Sequence, residues 1–309
     1  GLDSKDLLHI TLESSTSSIF IPAHIWTPWF SALGSKSGFD SIDECFEDLS
    51  PYIYAVETGL SSDPPMNRIC SFLDKYNLIS NSDAHSPDKL GREANLFETD
   101  LTYNHIYEAL KTGDGLKGTV EFYPQEGKYH YDGHRNCRLF WNPLETLKHG
   151  AICPVCSQTV TKGVMYRVAE LADRKNPVKI KNESYKSITP LPELLSEIAG
   201  VGPKSKRVQA DYLSTLSKLG SEFDILLNSE IEEIKSNNFP YLAEGINRLR
   251  NGEINISEGY DGVFGKINVF KKNTKKSPIK LNLTHKYSKK ESIDFDVLEF
   301  QKIKKKLST

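Results

Sequence analysis

The chain has 309 residues, 38% of them hydrophobic, and a formal net charge of -2. That length is enough for two or three domains with their own cores. No stretch reaches the roughly 18 consecutive apolar residues of a membrane span, and the N-terminal residues lack the basic and apolar segments of a signal peptide. A cytoplasmic protein without a membrane partner is the expectation.

Charge and cysteines narrow the classes further. Residues 1–100 hold sixteen Asp and Glu against six Lys and Arg, whereas Lys266 to Lys290 holds nine lysines and no acid. An acidic front suits a cation site and a basic rear suits a polyanion. The five cysteines are Cys45, Cys70, Cys137, Cys153 and Cys156. An odd count with one close pair points to metal binding in a reducing compartment and away from a disulfide framework.

In chain order, Ile19 to Ala23 is a β-rich run that ends at His24. A Gly- and Ser-rich loop with Trp26 and Trp29 follows, then a helix over Asp40–Leu49 with Ile42, Phe46 and Leu49 on one face. Tyr52–Val56 reads as a strand that ends at Glu57, and Pro64–Pro65 opens a helical stretch to about Tyr76. A third strand, Tyr76–Ile79, leads into Ser80-Asn81-Ser82-Asp83-Ala84-His85. Three strand–helix units that finish in His24, Glu57 and the Asp83/His85 pair imply a parallel α/β sheet with its chemistry at the C-terminal strand ends. Carboxylates and imidazoles gathered there suit a hydrolytic divalent-metal site.

Tyr103–Leu110 is a further helix. Beyond it, His134-X2-Cys137 and Cys153-X2-Cys156 are two knuckle-like pairs separated by fifteen residues. Four N/S donors with no open position describe a structural zinc site, whose binding energy folds a small module. His134 fits the pairing best, with His130 and His149 as the alternatives for the histidine ligand.

Lys175–Asn182 reads as a linker, and Leu191 opens a helical region. There Ile198-Ala-Gly200-Val-Gly202-Pro-Lys204-Ser-Lys206 resembles the hairpin of a helix-hairpin-helix element. Gly200 and Gly202 permit the tight turn, backbone N–H groups at the next helix start can meet a phosphate, and Lys204, Lys206 and Arg207 add charge without reading sequence. Amphipathic segments at Tyr212–Leu219 and Glu230–Ile234 follow. Gly259–Lys266 then reads as a hairpin turn between strands Ile254–Ile256 and Ile267–Phe270. Tyr260 and Phe264 are either base-stacking aromatics or cover for the hairpin's own core. From Lys271 onward the chain reads as a basic flexible tail.

Three motifs together resemble a known family. Phe20-Ile21-Pro22-Ala23-His24-Ile25-Trp26-Thr27-Pro28-Trp29-Phe30, Glu57-Thr58-Gly59-Leu60-Ser61-Ser62-Asp63-Pro64 and Asn81-Ser82-Asp83-Ala84-His85-Ser86-Pro87 look like motifs of PHP-domain (polymerase and histidinol phosphatase type) proteins. The series is most similar to endonuclease Q, which nicks DNA on the 5′ side of deaminated bases, and the similarity runs to about residue 270. One departure stands out. The PHP pattern opens with His-X-His, which this sequence lacks, so Gly1 is expected to fall inside the domain.

The resemblance implies an α/β fold with a partial PHP-type (β/α) barrel over residues 1–122 and a zinc-binding module over 123–175. A helical DNA-binding domain of the helix-hairpin-helix kind follows over 176–270, and the basic tail over 271–309. His24, Asp83 and His85 would act at the catalytic site, with Glu57 a further ligand of Mg²⁺, Mn²⁺ or Zn²⁺. The structural Zn²⁺ would sit on His134, Cys137, Cys153 and Cys156. Ser61 and Asn81 would touch a flipped nucleotide, while Gly200, Gly202, Lys204, Lys206 and Tyr260 would touch the duplex. The substrate would be double-stranded DNA with hypoxanthine, uracil, xanthine or an abasic site, with replication or repair factors as further partners. The alternatives are a PHP-type small-molecule phosphoesterase, which needs neither zinc module nor hairpin, and a non-catalytic DNA-binding fragment.

Overall fold

The computed structural model describes all residues except 37, 181, 182, 238, 271–292 and 309. Two compact units emerge. One comprises Gly1–Tyr185, the short return segment Glu258–Phe264 and the C-terminal helix; the other comprises Lys186–Ser257 and the strand after Gly265.

The first unit opens with α1 (Ser4–Ser14), capped by the Asp3 carboxylate, and α2 (Ile42–Phe46), capped by Ser41. Glu44 reaches back to accept the N–H of Asp40, the residue before the cap, at 2.7 Å. The expected Asp40–Leu49 helix thus shortens to one α-turn that runs into a 3-10 segment, Glu47–Tyr52, where Pro51 has no amide hydrogen to donate. Next come β1 (Ala55–Glu57), α3 (Pro64–Arg68) and β2 (Asn77–Ile79). The strands β1 and β2 pair in parallel, Ala55 with Asn77 through Glu57 with Ile79.

The predicted strand at Ile19–Ala23 is not formed as a regular strand. It lies alongside β1 through only two bonds, Glu57 N–H to Pro22 O (3.1 Å) and Ile25 N–H to Glu57 O (3.2 Å). Pro22 cannot donate, and that interrupts the ladder. Thereafter β3 (Ala94–Phe97) pairs antiparallel with β4 (Leu116–Phe122) across α4 (Tyr103–Thr112). No closed barrel appears among the described residues. Among the described strands, β1 and β2 pair in parallel, whereas β3–β4, the hairpin that follows and the last two strands pair antiparallel.

A hairpin of β5 (Asp132–His134) and β6 (Leu139–Trp141), then α5 (Pro143–Lys148) and α6 (Val164–Leu171), complete the unit. These elements share a core with the rest of it. Tyr131, Met165 and Val168 pack in one cluster with Ile25, Trp26, Val56, Met66 and Leu73. Trp26 is fully buried and donates its indole N–H to Asn67 Oδ1 at 2.7 Å, the partner that a buried indole requires.

Arg68 ties this core together. Buried at 3% exposure, it makes a two-pronged bond to Glu183 (Nη2 at 2.7 Å, Nε at 3.0 Å) and donates to the carbonyls of Leu73 (2.6 Å) and Tyr76 (3.0 Å). Arg68→Met is therefore expected to destabilise the protein by about 3 kcal/mol or more, because Glu183 and two carbonyls lose their donor together. Denaturant titration checks this, and a shift near zero contradicts it.

The strand β7 (Tyr185–Ile188) carries the chain from the first unit to the second. There α7 (Leu191–Ala199), α8 (Lys206–Leu219), α9 (Ile231–Ser236) and α10 (Pro240–Asn251) bury Leu191, Leu194, Ile225, Ile234 and Ile246. Strands β8 (Asn255–Ser257) and β9 (Lys266–Asn268) pair antiparallel as expected. Their connection is longer than a hairpin turn, since Glu258–Phe264 belongs to the first unit.

The expected flexible tail needs correction. Residues 271–292 and 309 lie outside the described residues, but Val297–Leu307 forms α11, capped by Asp296. Phe300 of α11 is fully buried edge-on to Tyr166 at 5.2 Å, beside Leu144 and Leu147. Lys302, Lys305 and Lys306 are exposed and Lys304 pairs with Glu170 at 2.7 Å, while Val297 and Phe300, three apart, reach the core. Among the described residues no helix is long and apolar enough to cross a membrane.

Candidate metal centres and their surroundings

His24, Glu57 and Asp83 meet at the ends of β1 and β2. His24 Nδ1 lies 3.1 Å from Glu57 Oε2, and His24 Nε2 lies 3.6 Å from Asp83 Oδ2. Glu57 is buried. Its Oε2 accepts the His24 backbone N–H at 2.8 Å and its Oε1 accepts from Asn81 Nδ2 at 2.8 Å. His85 stands more open: its Nδ1 lies 2.8 Å from the Asp83 carbonyl and 3.9 Å from Asp83 Oδ2.

Backbone conformation explains how the imidazole reaches the carboxylates. His24 (φ 44°) and Asp83 (φ 48°) both occupy the left-handed region, which non-glycine residues enter at a cost and which clusters at functional sites. Gly59 follows two residues after Glu57 at φ 62°, and a Cβ there would collide with His24 Nδ1. Glycine at this position makes room for the ring.

A buried polar support lies behind the site, and no sequence pattern announced it. Asn95 on β3 accepts the Ser80 N–H (2.8 Å) and donates to Ser80 O (3.1 Å) and Asn81 Oδ1 (3.0 Å). That fixes the Asn81 amide with its NH₂ toward Glu57. Thr58 and Ser80, the residues next to Glu57 and Asn81, both donate to Glu121 Oε2 at 3.1 Å. The Asn81 side chain, expected to meet a nucleotide, is thus engaged at both ends. Ser61 differs, because its Oγ is buried with no hydrogen-bond partner among the described residues.

Glu121 and Glu93 are both buried. Burial pushes both carboxyls well up from the ordinary value of 4.5, and neighbouring negative charge adds to it, Glu93 acting on Glu121 and Glu57 on Glu93. The folded state therefore holds protons that the unfolded chain releases above about pH 4.3. This contribution is fully present below that value and is lost as pH rises through the folded values. We expect the melting temperature to fall between about pH 5 and 8, and Glu93→Gln, neutral throughout, to flatten that fall. Melts across this range check it, and an unchanged slope contradicts the assignment.

The second centre is the cysteine cluster. One ligand atom each from His134, Cys137, Cys153 and Cys156 lies within 4.8 Å of the others. The β5–β6 hairpin supplies His134 and Cys137, and a turn closed by Ser157 N–H to Cys153 O (2.8 Å) supplies the other two. Burial alone would push the Cys153 thiol up, but the backbone N–H groups of Cys156 and Val155, together with His134, bring it down to about 6. Cys137 is held up at about 12, chiefly by the adjacent Cys156 sulfur, with burial and Cys153 adding to it. A lowered thiol among three sulfurs and an imidazole is the donor set that a soft or borderline divalent ion takes.

The geometry also separates the three candidate histidines. His149 stacks on Trp141 at 4.7 Å, and His130 is buried against Tyr131 at 5.1 Å. Burial pushes His130 down to about 3, so its imidazole stays neutral. His134 alone joins the cysteines.

Among the remaining expected contacts, Gly200 caps α7 in the left-handed conformation (φ 68°), while Gly202, Lys204 and Lys206 are exposed at the start of α8. Tyr260 requires correction. Its ring stacks on Phe140 at 5.3 Å, and a side chain at Gly133 would run into it, so its face is taken up by packing. Phe264 is the exposed aromatic of that segment.

Comparison with known proteins gives this geometry a context. A family model described as the MJ0043 C-terminal domain matches residues 190–253. The uncharacterised protein MJ0043 of Methanocaldococcus jannaschii is 33% identical over 270 residues, which cover 85% of this chain and 33% of that protein. The uncharacterised protein YqxK of Bacillus subtilis is 34% identical over 254 residues, 81% of this chain and 60% of YqxK. This chain thus spans about a third to three fifths of the length of these relatives.

Among solved structures, the lesion-specific endonuclease PfuEndoQ from Pyrococcus furiosus matches with a TM-score of 0.77 and 31% identity, over 86% of this chain and 66% of that one. An endonuclease Q complex with a 27-mer duplex carrying an abasic lesion at its active site matches at 0.75 and 31%, over 86% and 67%. The fold is that of a mixed α/β protein similar to these lesion-specific endonuclease structures. The chain belongs to the endonuclease Q family.

Proposed function

We propose that this chain forms part of a metal-dependent DNA endonuclease that nicks the phosphodiester bond 5′ to deaminated bases or abasic sites. The observation that carries the reading is the convergence of His24, Glu57 and Asp83 at two adjacent strand ends, in a chain 31% identical in sequence to structures of a lesion-specific endonuclease. His24, Asp83 and His85, with Glu57, would hold divalent ions such as Mg²⁺, Mn²⁺ or Zn²⁺. Bound there, such ions supply a hydroxide near neutral pH and stabilise the leaving oxygen. Asp83, on the open side of the site, orients the attacking water. Glu57, braced by Asn81, holds His24 through its backbone N–H.

An extruded nucleotide meets Ser61, whose hydroxyl is free to donate. A damaged or missing base unpairs at lower cost, which contributes to selection. His134, Cys137, Cys153 and Cys156 would hold a structural Zn²⁺, which would fix the β5–β6 hairpin. Gly200, Gly202, Lys204 and Lys206, in a helix-hairpin-helix arrangement of α7 and α8, grip the DNA backbone without reading sequence.

The test is a nicking assay on duplexes with a single uracil, hypoxanthine, xanthine or abasic site, with each metal in turn. A single metal-dependent nick 5′ to the lesion is expected. Hydrolysis of a phosphomonoester without DNA cleavage points instead to a small-molecule phosphoesterase, and binding without cleavage to a DNA-binding role alone.

A further inference from the structure

Four aromatic side chains from three separate stretches form an exposed cluster that none of the roles above uses. Trp29 is half-exposed and packs edge-on to Tyr129, with ring centroids 5.4 Å apart. Lys128 Nζ lies 5.7 Å from the centre of the Tyr129 ring and 5.9 Å from that of Phe264. Phe264 is mostly exposed, and Phe30 is fully exposed. Lys128 forms no ion pair among the described residues, and Arg135 adds a second exposed cation near Tyr129.

Two stretches of this cluster continue into, or lie against, the loops that carry the first metal centre's residues. Trp29 and Phe30 belong to the loop that His24 opens, where Thr27 N–H bonds to His24 O at 3.1 Å. The turn that leads to Lys128 lies against the loop after Glu57, with a Cβ at Gly127 3.8 Å from Leu60 O.

The Phe30 loop is held firmly. Leu33 N–H bonds to Ile25 O (2.9 Å), Lys36 N–H to Pro28 O (2.9 Å), and Thr27 Oγ1 donates to Trp29 O (3.0 Å). Phe30 itself sits at φ 57°, a strained setting for a bulky residue that the surrounding bonds maintain. The loop that His24 opens therefore holds one apolar ring in full solvent exposure at a strained backbone position.

We propose that Trp29, Phe30, Tyr129 and Phe264, with Lys128 and Arg135, form a stacking surface for nucleobases beside the scissile phosphate. Phe30 is the side chain that enters the duplex where a nucleotide is extruded. The inference rests on the nuclease reading and names how that site takes its substrate. Rings accept any base face, and the two cations match the adjacent phosphates. An apolar wedge between base steps is a recurring means of unstacking a duplex. A protein partner would match the rings equally well but leaves the flanking cations without a counterpart.

The experiment uses the whole chain with Ca²⁺ as the sole added divalent ion and no chelator, so that binding is read without cleavage and the structural zinc stays in place. The probe is a duplex with one abasic site and 2-aminopurine as the neighbouring base. The wild type is expected to raise 2-aminopurine fluorescence and to quench Trp29. Phe30→Ala should cut the 2-aminopurine rise severalfold with its melting temperature unchanged, since the ring is exposed. Phe264→Ala should weaken binding of single-stranded oligonucleotides about fivefold or more. A full 2-aminopurine rise with Phe30→Ala, in a wild type that nicks lesions, overturns the wedge and leaves the nuclease reading standing. A wild type that binds no duplex overturns both.

Discussion

Cys153→Ser is expected to release the structural metal and to lower the melting temperature by roughly 10 °C. Serine offers no thiolate near neutral pH, and the three remaining donors do not close a tetrahedron. The loss should spread beyond the knuckle, because Tyr131 and Met165, which flank it in sequence, sit in the same core as Trp26 and Val56. Metal content by elemental analysis and thermal melting together check this. Unchanged zinc and unchanged melting in the variant would refute the structural role of the cluster.

Asp83→Ala is expected to reduce lesion nicking by about a hundredfold or more, with duplex binding nearly intact. Alanine is poorly suited to φ 48°, whereas asparagine tolerates the left-handed region. Asp83→Asn therefore separates chemistry from backbone strain. It keeps the turn and removes the charge, and it should lose nicking to a similar degree. Near-parental cutting by both variants would show that the metal site has been placed wrongly. Unchanged binding by both would locate the grip on DNA elsewhere, as the exposed α8 start and the aromatic cluster already suggest.

Much of the candidate chemistry was legible in the linear chain because its rules are local. An X2 spacing lets two donors share one turn, so the cysteine pairs announced themselves. Polar residues that end β-rich runs pointed to His24, Glu57 and Asp83, and the structure brings the two carboxylates to 3.1 and 3.6 Å from the His24 ring. The partial barrel that the resemblance implied shows only one parallel strand pair among the described residues, because periodicity signals a strand but not what it pairs with. Ile19–Ala23 has the composition of a strand, yet Pro22 breaks its ladder beside β1.

The remaining features depend on residues far apart in sequence. His130, His134 and His149 all lie close to the cysteines along the chain, and only packing shows that two of them stack on aromatic rings instead. Asn95, fourteen residues beyond Asn81, carries no signature, yet it sets the amide that braces Glu57. The C-terminal lysines disguised a helix whose two apolar residues reach the core. Sequence by itself determined which donor atoms this protein owns and which of them share a turn, since those depend on identity and short spacing. Tertiary structure alone decided which donors face each other, which aromatics stay exposed and which charges are buried, because these follow from long-range packing that no local pattern encodes.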